Sequence, residues 1–107
     1  MARSARAKKA TVILCSPVPH KKYAGDWKKY RGWVKACAKA EGVAYIDLTH
    51  RIASAYAKLD VATLGGFFAD QDTHTNAAGA VFNAKAVLAG IRALPGAPLA
   101  DFHLAGP

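Results

Sequence analysis

Hydrophobic and polar positions along this chain follow two periods. Residues 11–15, Thr-Val-Ile-Leu-Cys, form a continuous apolar run rich in β-branched side chains. A strand covered on both faces has that pattern. Two prolines in Ser16-Pro-Val-Pro19 end it, because proline cannot donate to a ladder. Residues 27–41 switch to helical spacing. At about 100° per residue, Trp27, Tyr30, Trp33, Val34 and Cys37 share one apolar stripe, with Lys28, Arg31, Lys35 and Lys39 opposite. Asp26 is the expected N-cap and Gly42 the expected stop. Residues 43–48, Val-Ala-Tyr-Ile-Asp-Leu, read as a second strand. Thr49 is expected to cap the next helix, whose inner face carries Ile52, Ala55, Tyr56 and Leu59. Residues 64–76 read as a loop. A last helix spans about Asn76 to Leu94, with Ala80, Ala84, Val87, Ile91 and Leu94 as its buried stripe and Lys85 and Arg92 outward. Pro95-Gly96 ends it.

Strand, helix, strand predicts a parallel pair joined by a right-handed crossover. The fold class is therefore α/β, a three-layer αβα arrangement with two parallel strands and about three helices. Two strands of the buried type cannot cover both faces and both edges of a parallel sheet. No further segment reads as a strong strand. This is a physical reason to expect that an N-terminal part of the same domain lies outside these residues.

The 107 residues bound the chain to one small domain. Residues 1–9 read as a basic lead-in or exposed helix end, and residues 95–107 as a tail. Hydrophobic residues make up 52% of the sequence, which argues against disorder. Cys15 and Cys37 are expected to be buried free thiols. The basic start is followed by only about five apolar residues, too few for a secretory signal. No stretch approaches the roughly 20 apolar residues of a membrane span, so no membrane partner is expected. The net charge is +8. Residues 1–39 hold 11 of the 15 Lys and Arg against Asp26 alone. An acidic partner such as nucleic acid or an anionic glycan would suit that imbalance.

The segment most suggestive of chemistry is residues 68–79, Phe-Ala-Asp-Gln-Asp-Thr-His-Thr-Asn-Ala-Ala-Gly. It places His74 in a polar loop ahead of a helix, with Asp70 and Asp72 within four residues. A histidine acts as general base when a carboxylate orients its ring and stabilises its cation. Taken alone, an Asp-x-His spacing is more often a solvated loop. His20 follows the first strand's end, where parallel sheets place their clefts, and is a candidate substrate-binding residue. His50 is expected at the surface and His103 in a structural role. No His or Cys pair has metal-ligand spacing and no glycine-rich phosphate loop is present, so no cofactor or metal is expected.

Residues 72–80, Asp-Thr-His-Thr-Asn-Ala-Ala-Gly-Ala, resemble the last block of SGNH/GDSL-type hydrolases of the rhamnogalacturonan acetylesterase group. There an Asp-x-x-His-Thr stretch precedes an alanine-rich final helix. Residues 13–19, Ile-Leu-Cys-Ser-Pro-Val-Pro, are similar to that family's strand ending in a Thr/Ser-Pro turn. Residues 41–48, Glu-Gly-Val-Ala-Tyr-Ile-Asp-Leu, resemble its next strand. Order and spacing match across about residues 9–94. The resemblance implies a flavodoxin-like SGNH fold, incomplete here, with residues 1–107 as the C-terminal part of one domain.

The resemblance also implies serine ester hydrolysis on an acetylated polysaccharide or small ester, in proteins that are often secreted or periplasmic. His74 matches the family histidine. The family aspartate falls at Gln71, which carries no charge. Asp70 or Asp72 can replace it, and Asp72 is the preferred partner. No Gly-Asp-Ser and no Gly-x-Asn-Asp occurs in the sequence, and Ser4, Ser16 and Ser54 lie in the wrong contexts. The chain is therefore expected to supply the histidine but neither nucleophile nor oxyanion hole, and to be inactive alone. The competing expectation is a non-catalytic module for an acidic glycan or nucleic acid. Nucleic acid is the weaker candidate, because the tryptophans are expected on the apolar stripe, away from the lysines.

Overall fold

The structure is a computed structural model and describes residues 1–21 and 27–99. The expected cap Asp26, the side chain of Trp27, His103 and the tail from residue 100 lie outside the described residues. Seven elements follow in order: α1 (Ala2–Ala7), β1 (Ile13–Cys15), α2 (Trp27–Glu41), β2 (Ala44–Ile46), α3 (Leu48–Tyr56), α4 (Val61–Gly65) and α5 (Ala77–Arg92). The chain is mixed α/β with one parallel pair. Ile13 lies against Ala44, Leu14 against Tyr45 and Cys15 against Ile46. Ser16 N–H extends the ladder to the Ile46 carbonyl at 3.1 Å. The expected parallel unit is present, with five helices among the described residues instead of about three. The lead-in forms α1, and its Arg3 and Arg6 hold Glu41 at the end of α2.

The core is small. Ile46, Leu48, Ile52, Tyr56 and Phe68 are buried, with Ile13, Leu59, Phe82, Val87 and Ile91 packed against them. Thus the expected face of α3 is largely realised. Its cap is different. Asp47 caps α3 by accepting from His50 N–H, whereas Thr49 is fully buried. Thr49 N–H donates to Ser16 Oγ at 2.9 Å and its hydroxyl to the Pro17 carbonyl. A carboxylate at the strand end accepts from the first helical turn while its charge pairs with the Arg31 cation, and a threonine hydroxyl brings no charge.

Two expected stripes are rotated. On α2, Tyr30 and Trp33 are 49% and 57% exposed, and Cys37 is exposed too. Among the described side chains of this helix Ala38 is buried, and Val34 and Arg31 are half-buried beside it. Two strands are too narrow a platform to cover the full apolar arc of α2. Cys15 is likewise exposed, so neither thiol is buried as expected. On α5, Ala80 and Ala84 face solvent, while Gly79, Asn83 and Gly90 are buried. A Cβ on Gly90 would stand 2.7 Å from Ile46 Cγ2, so this helix meets β2 through its smallest side chain. Alanine tolerates either environment in a helix and marked the wrong face. Lys85 and Arg92 do point outward.

Residues 64–76 are more ordered than a plain loop. Asp60 caps the short α4 by accepting from Thr63 N–H at 2.7 Å. Beyond α4 the chain doubles back, and Phe68 pairs antiparallel with Thr75.

Candidate active site

The hairpin between α4 and α5 is clamped at its base. Asn76 N–H donates to the Phe67 carbonyl at 2.9 Å, and Ala69 N–H to the His74 carbonyl at 2.7 Å. Asn76 also caps α5, accepting from Gly79 N–H at 3.0 Å, while its amide donates to the Gly66 carbonyl at 2.7 Å. Below, Phe68 is buried against Tyr56, with ring centroids 5.9 Å apart, and Phe67 packs on Phe82 at 4.9 Å. The base of the turn is thus tied to α3 and α5, and its tip carries the polar residues.

Asp70 organises the tip. One oxygen, Oδ1, accepts from the N–H groups of Asp72, Thr73 and His74 at 3.1, 2.7 and 3.0 Å. The other, Oδ2, lies 2.5 Å from His74 Nδ1. These N–H groups and the imidazole hold the Asp70 carboxyl well below the usual carboxylate range, the His74 amide contributing most. The carboxylate stays ionised at neutral pH. With Nδ1 facing Asp70, Nε2 is directed away from it, and the His74 side chain is 79% exposed. This leaves Nε2 open to accept a proton from an incoming group.

Asp72, the preferred partner, is not the residue at the ring. Its Oδ1 accepts from Thr73 Oγ1 at 2.7 Å. The turn closes over Asp70, whose side chain sits inside it; that of Asp72 lies outside. Gln71 is exposed. His20 is half-buried in the segment after β1, and the next residue, Lys21, donates its N–H to the Asp72 carbonyl at 2.9 Å. That bond draws the strand-end segment alongside the His74 hairpin. His50 is exposed, as expected.

A second polar cluster was not anticipated. Arg31 reaches Asp47 from α2, with Nη2 2.5 Å from Oδ2 and Nε 3.0 Å from Oδ1, and Ser16 Oγ donates to Oδ1 at 3.1 Å. Burial pushes the Asp47 carboxyl up, but Arg31, the His50 amide and Ser16 together bring it below its ordinary value. Asp47 directly precedes α3, and that position could have signalled the cap. Ser16 is buried and donates into this cluster, an arrangement for holding the strand ends together. A groove of about 850 Å³ also runs between α3 and α5, lined by Tyr45, Arg51, Phe82, Lys85 and Leu94 among others. It follows the C-terminal half of α5, away from His74.

Among the described residues no group of three His, Cys, Asp or Glu is placed to hold a metal ion. Nor is any described helix long and apolar enough to cross a membrane. Compared with known family models, curated proteins and solved structures, the chain matches none.

Proposed function

We propose that this chain contributes the acid–base half of an ester hydrolase site of the SGNH type, with His74 as general base and Asp70 as the carboxylate that orients it. The observation that carries this reading is the 2.5 Å contact between Asp70 Oδ2 and His74 Nδ1 on an otherwise open ring. In such a pair the carboxylate selects the tautomer with hydrogen on Nδ1. Nε2 then accepts the proton of an attacking hydroxyl and returns it to the leaving alcohol, while Asp70 stabilises the imidazolium between the two steps. The attacking hydroxyl and the oxyanion donors come from a segment outside these residues, such as an N-terminal half of the same domain. An acetyl ester on a carbohydrate is the substrate class implied by the resemblance of residues 72–80. Asp70 lies four residues before His74, not three, so the reading assigns to it the role that Gln71 cannot fill.

The coding DNA ahead of Met1 supplies the test. The reading expects an in-frame Gly-Asp-Ser, with Gly-x-Asn-Asp after it. The 107-residue chain should turn over p-nitrophenyl acetate no faster than its His74→Ala variant, and the extended chain should gain turnover that His74→Ala abolishes. Absence of that segment, or an extended chain indifferent to His74→Ala, would overturn the assignment. Multiple His74-dependent turnovers by the 107 residues alone would overturn the external nucleophile.

A further inference from the structure

The segment that leaves β1 is held at almost every step. Ser16 is buried, accepting from Thr49 N–H and donating to Asp47. The Pro17 carbonyl accepts from the Thr49 hydroxyl, and Pro19 is fully buried. The two proline rings also lock φ at about −65°. Residues 16–19 therefore form a stiff strap. It is rooted in the Asp47 cluster, so it carries the position of the strand ends outward to Lys21.

Lys21 is where the strap meets the His74 hairpin, and it touches that hairpin at both ends. Its N–H donates to the Asp72 carbonyl at the tip, at 2.9 Å. Its side chain reaches the foot. A β-carbon on Gly65, the last residue of α4, would stand 3.9 Å from Lys21 Nζ. The carbonyl end of a helix favours a cation there. Asp70 gathers the amides of Asp72, Thr73 and His74 inside the turn, but those bonds shape the tip without tying it to another element. The Lys21 bond does tie it, to the strand ends.

We propose that Lys21 is a positioning residue for His74. Its N–H and its ammonium together set the hairpin, and with it the imidazole, at one place relative to the ends of β1 and β2. The catalytic meaning of that placement rests on the hydrolase reading; the placement itself does not. The His74 ring is held to Asp70 within the hairpin, so it moves as the hairpin moves. Asp70 thus aims the ring, and Lys21 places it. Both matter to a general base, which must come within about 2.6–3.2 Å of the proton it takes. An error of about 1 Å can cost about a hundredfold in rate. Clefts of parallel sheets form at the carboxyl ends of the strands, and the strap joins that edge to the hairpin.

NMR of the 107-residue chain tests the placement. A scalar coupling across the hydrogen bond should link the Lys21 nitrogen to the Asp72 carbonyl carbon. Residual dipolar couplings should give residues 70–74 the same alignment frame as residues 13–16 and 44–47. Lys21→Met removes the ammonium and keeps the stem. It should loosen residues 70–74 against that frame while hydrogen stays on His74 Nδ1, and Lys21→Arg should restore the parent behaviour. A merely structural lysine would lower the thermal midpoint and leave the relative alignment as it was. No coupling in the parent chain, or a Lys21→Met hairpin aligned and ordered as in the parent, overturns the proposal. In an extended chain with His74-dependent turnover, Lys21→Met should lower kcat about tenfold with KM nearly unchanged. An unchanged kcat there overturns the role of Lys21 and leaves the hydrolase reading standing. Failure of the hydrolase reading shows differently, as turnover indifferent to His74→Ala.

Discussion

A β-carbon on Gly79 would stand 2.1 Å from the carbonyl oxygen of Phe67 and 3.0 Å from the β-carbon of Thr75. The base of the His74 hairpin therefore rests directly on the first turn of α5, and only a residue without a side chain permits it. Intrinsic propensity favours alanine over glycine in a helix by about 1 kcal/mol. Here the obstacle is backbone that is itself hydrogen-bonded, so the clash decides the sign. Gly79→Ala should destabilise the chain by about 1–3 kcal/mol in urea unfolding. It should also move the amide resonances of residues 67–76. Gly32→Ala is the counterpart. Nothing lies within 4 Å of its Cβ in the middle of α2, so that change should stabilise by about 0.5–1 kcal/mol.

The Asp70–His74 contact predicts a tautomer. Free neutral imidazole divides its proton between two nitrogens, and a carboxylate 2.5 Å from Nδ1 selects the form that donates from Nδ1. Nitrogen NMR of the His74 ring at high pH should show hydrogen on Nδ1. Asp70→Ala should remove that preference and loosen the turn, since Oδ1 also gathers three backbone amides. Asp72→Ala should leave the tautomer in place, because its carboxylate serves Thr73. An unchanged ring spectrum in Asp70→Ala would remove the basis of the proposed mechanism.

The parallel pair, the bounds of α2, the start of α5 near Asn76 and the loop position of His74 were all legible in the sequence. Each rests on a local rule, such as β-branched runs, helical period or a capping side chain. Gly42 stops α2 at φ +65°, as its position suggested. What local rules could not supply is which arc of a helix meets a neighbour. Trp33 is apolar by type and exposed by circumstance, because two strands do not reach it. Gly90 is the reverse case, carrying no hydrophobic signal yet seated on Ile46. The choice between Asp70 and Asp72 depended on how the turn closes, which a spacing of two or four residues does not reveal. Trp33 bears on partners too. Its exposure removes the reason given against nucleic acid, but of the lysines on α2 only Lys29 lies beside it, a narrow basis for tracking phosphates.

Tyr56 joins the core to α5 through one polar contact. Its hydroxyl donates to Asn83 Oδ1 at 3.0 Å, and both residues are buried. Its ring meets Phe68 and Phe82. Tyr56→Phe keeps the ring contacts and strands the amide oxygen, so it should cost about 1–2 kcal/mol in chemical denaturation. A variant as stable as the parent would mean that Asn83 finds another donor.

Acid should unfold this chain through a few identifiable carboxylates. Asp70 is held low by the His74, Thr73 and Asp72 amides and the His74 ring, Asp60 by Thr63, and Asp47 by Arg31 against the cost of its burial. All three shifts are downward. A carboxyl whose folded value lies below its unfolded value, about 3.9 for aspartate, binds more protons when unfolded. Its contribution is complete above that value and is lost as pH falls through the folded one. The thermal midpoint should therefore hold steady from about pH 7 to pH 5 so far as these groups are concerned, then fall on further acidification. Asp70→Asn should flatten the acid limb, because an amide cannot be neutralised by protons. It should also lower the plateau, because the amide accepts less strongly from the three N–H groups. An acid limb as steep in Asp70→Asn as in the parent would assign the acid sensitivity to Asp47 and Asp60, and Asp47→Asn would then be the variant that flattens it.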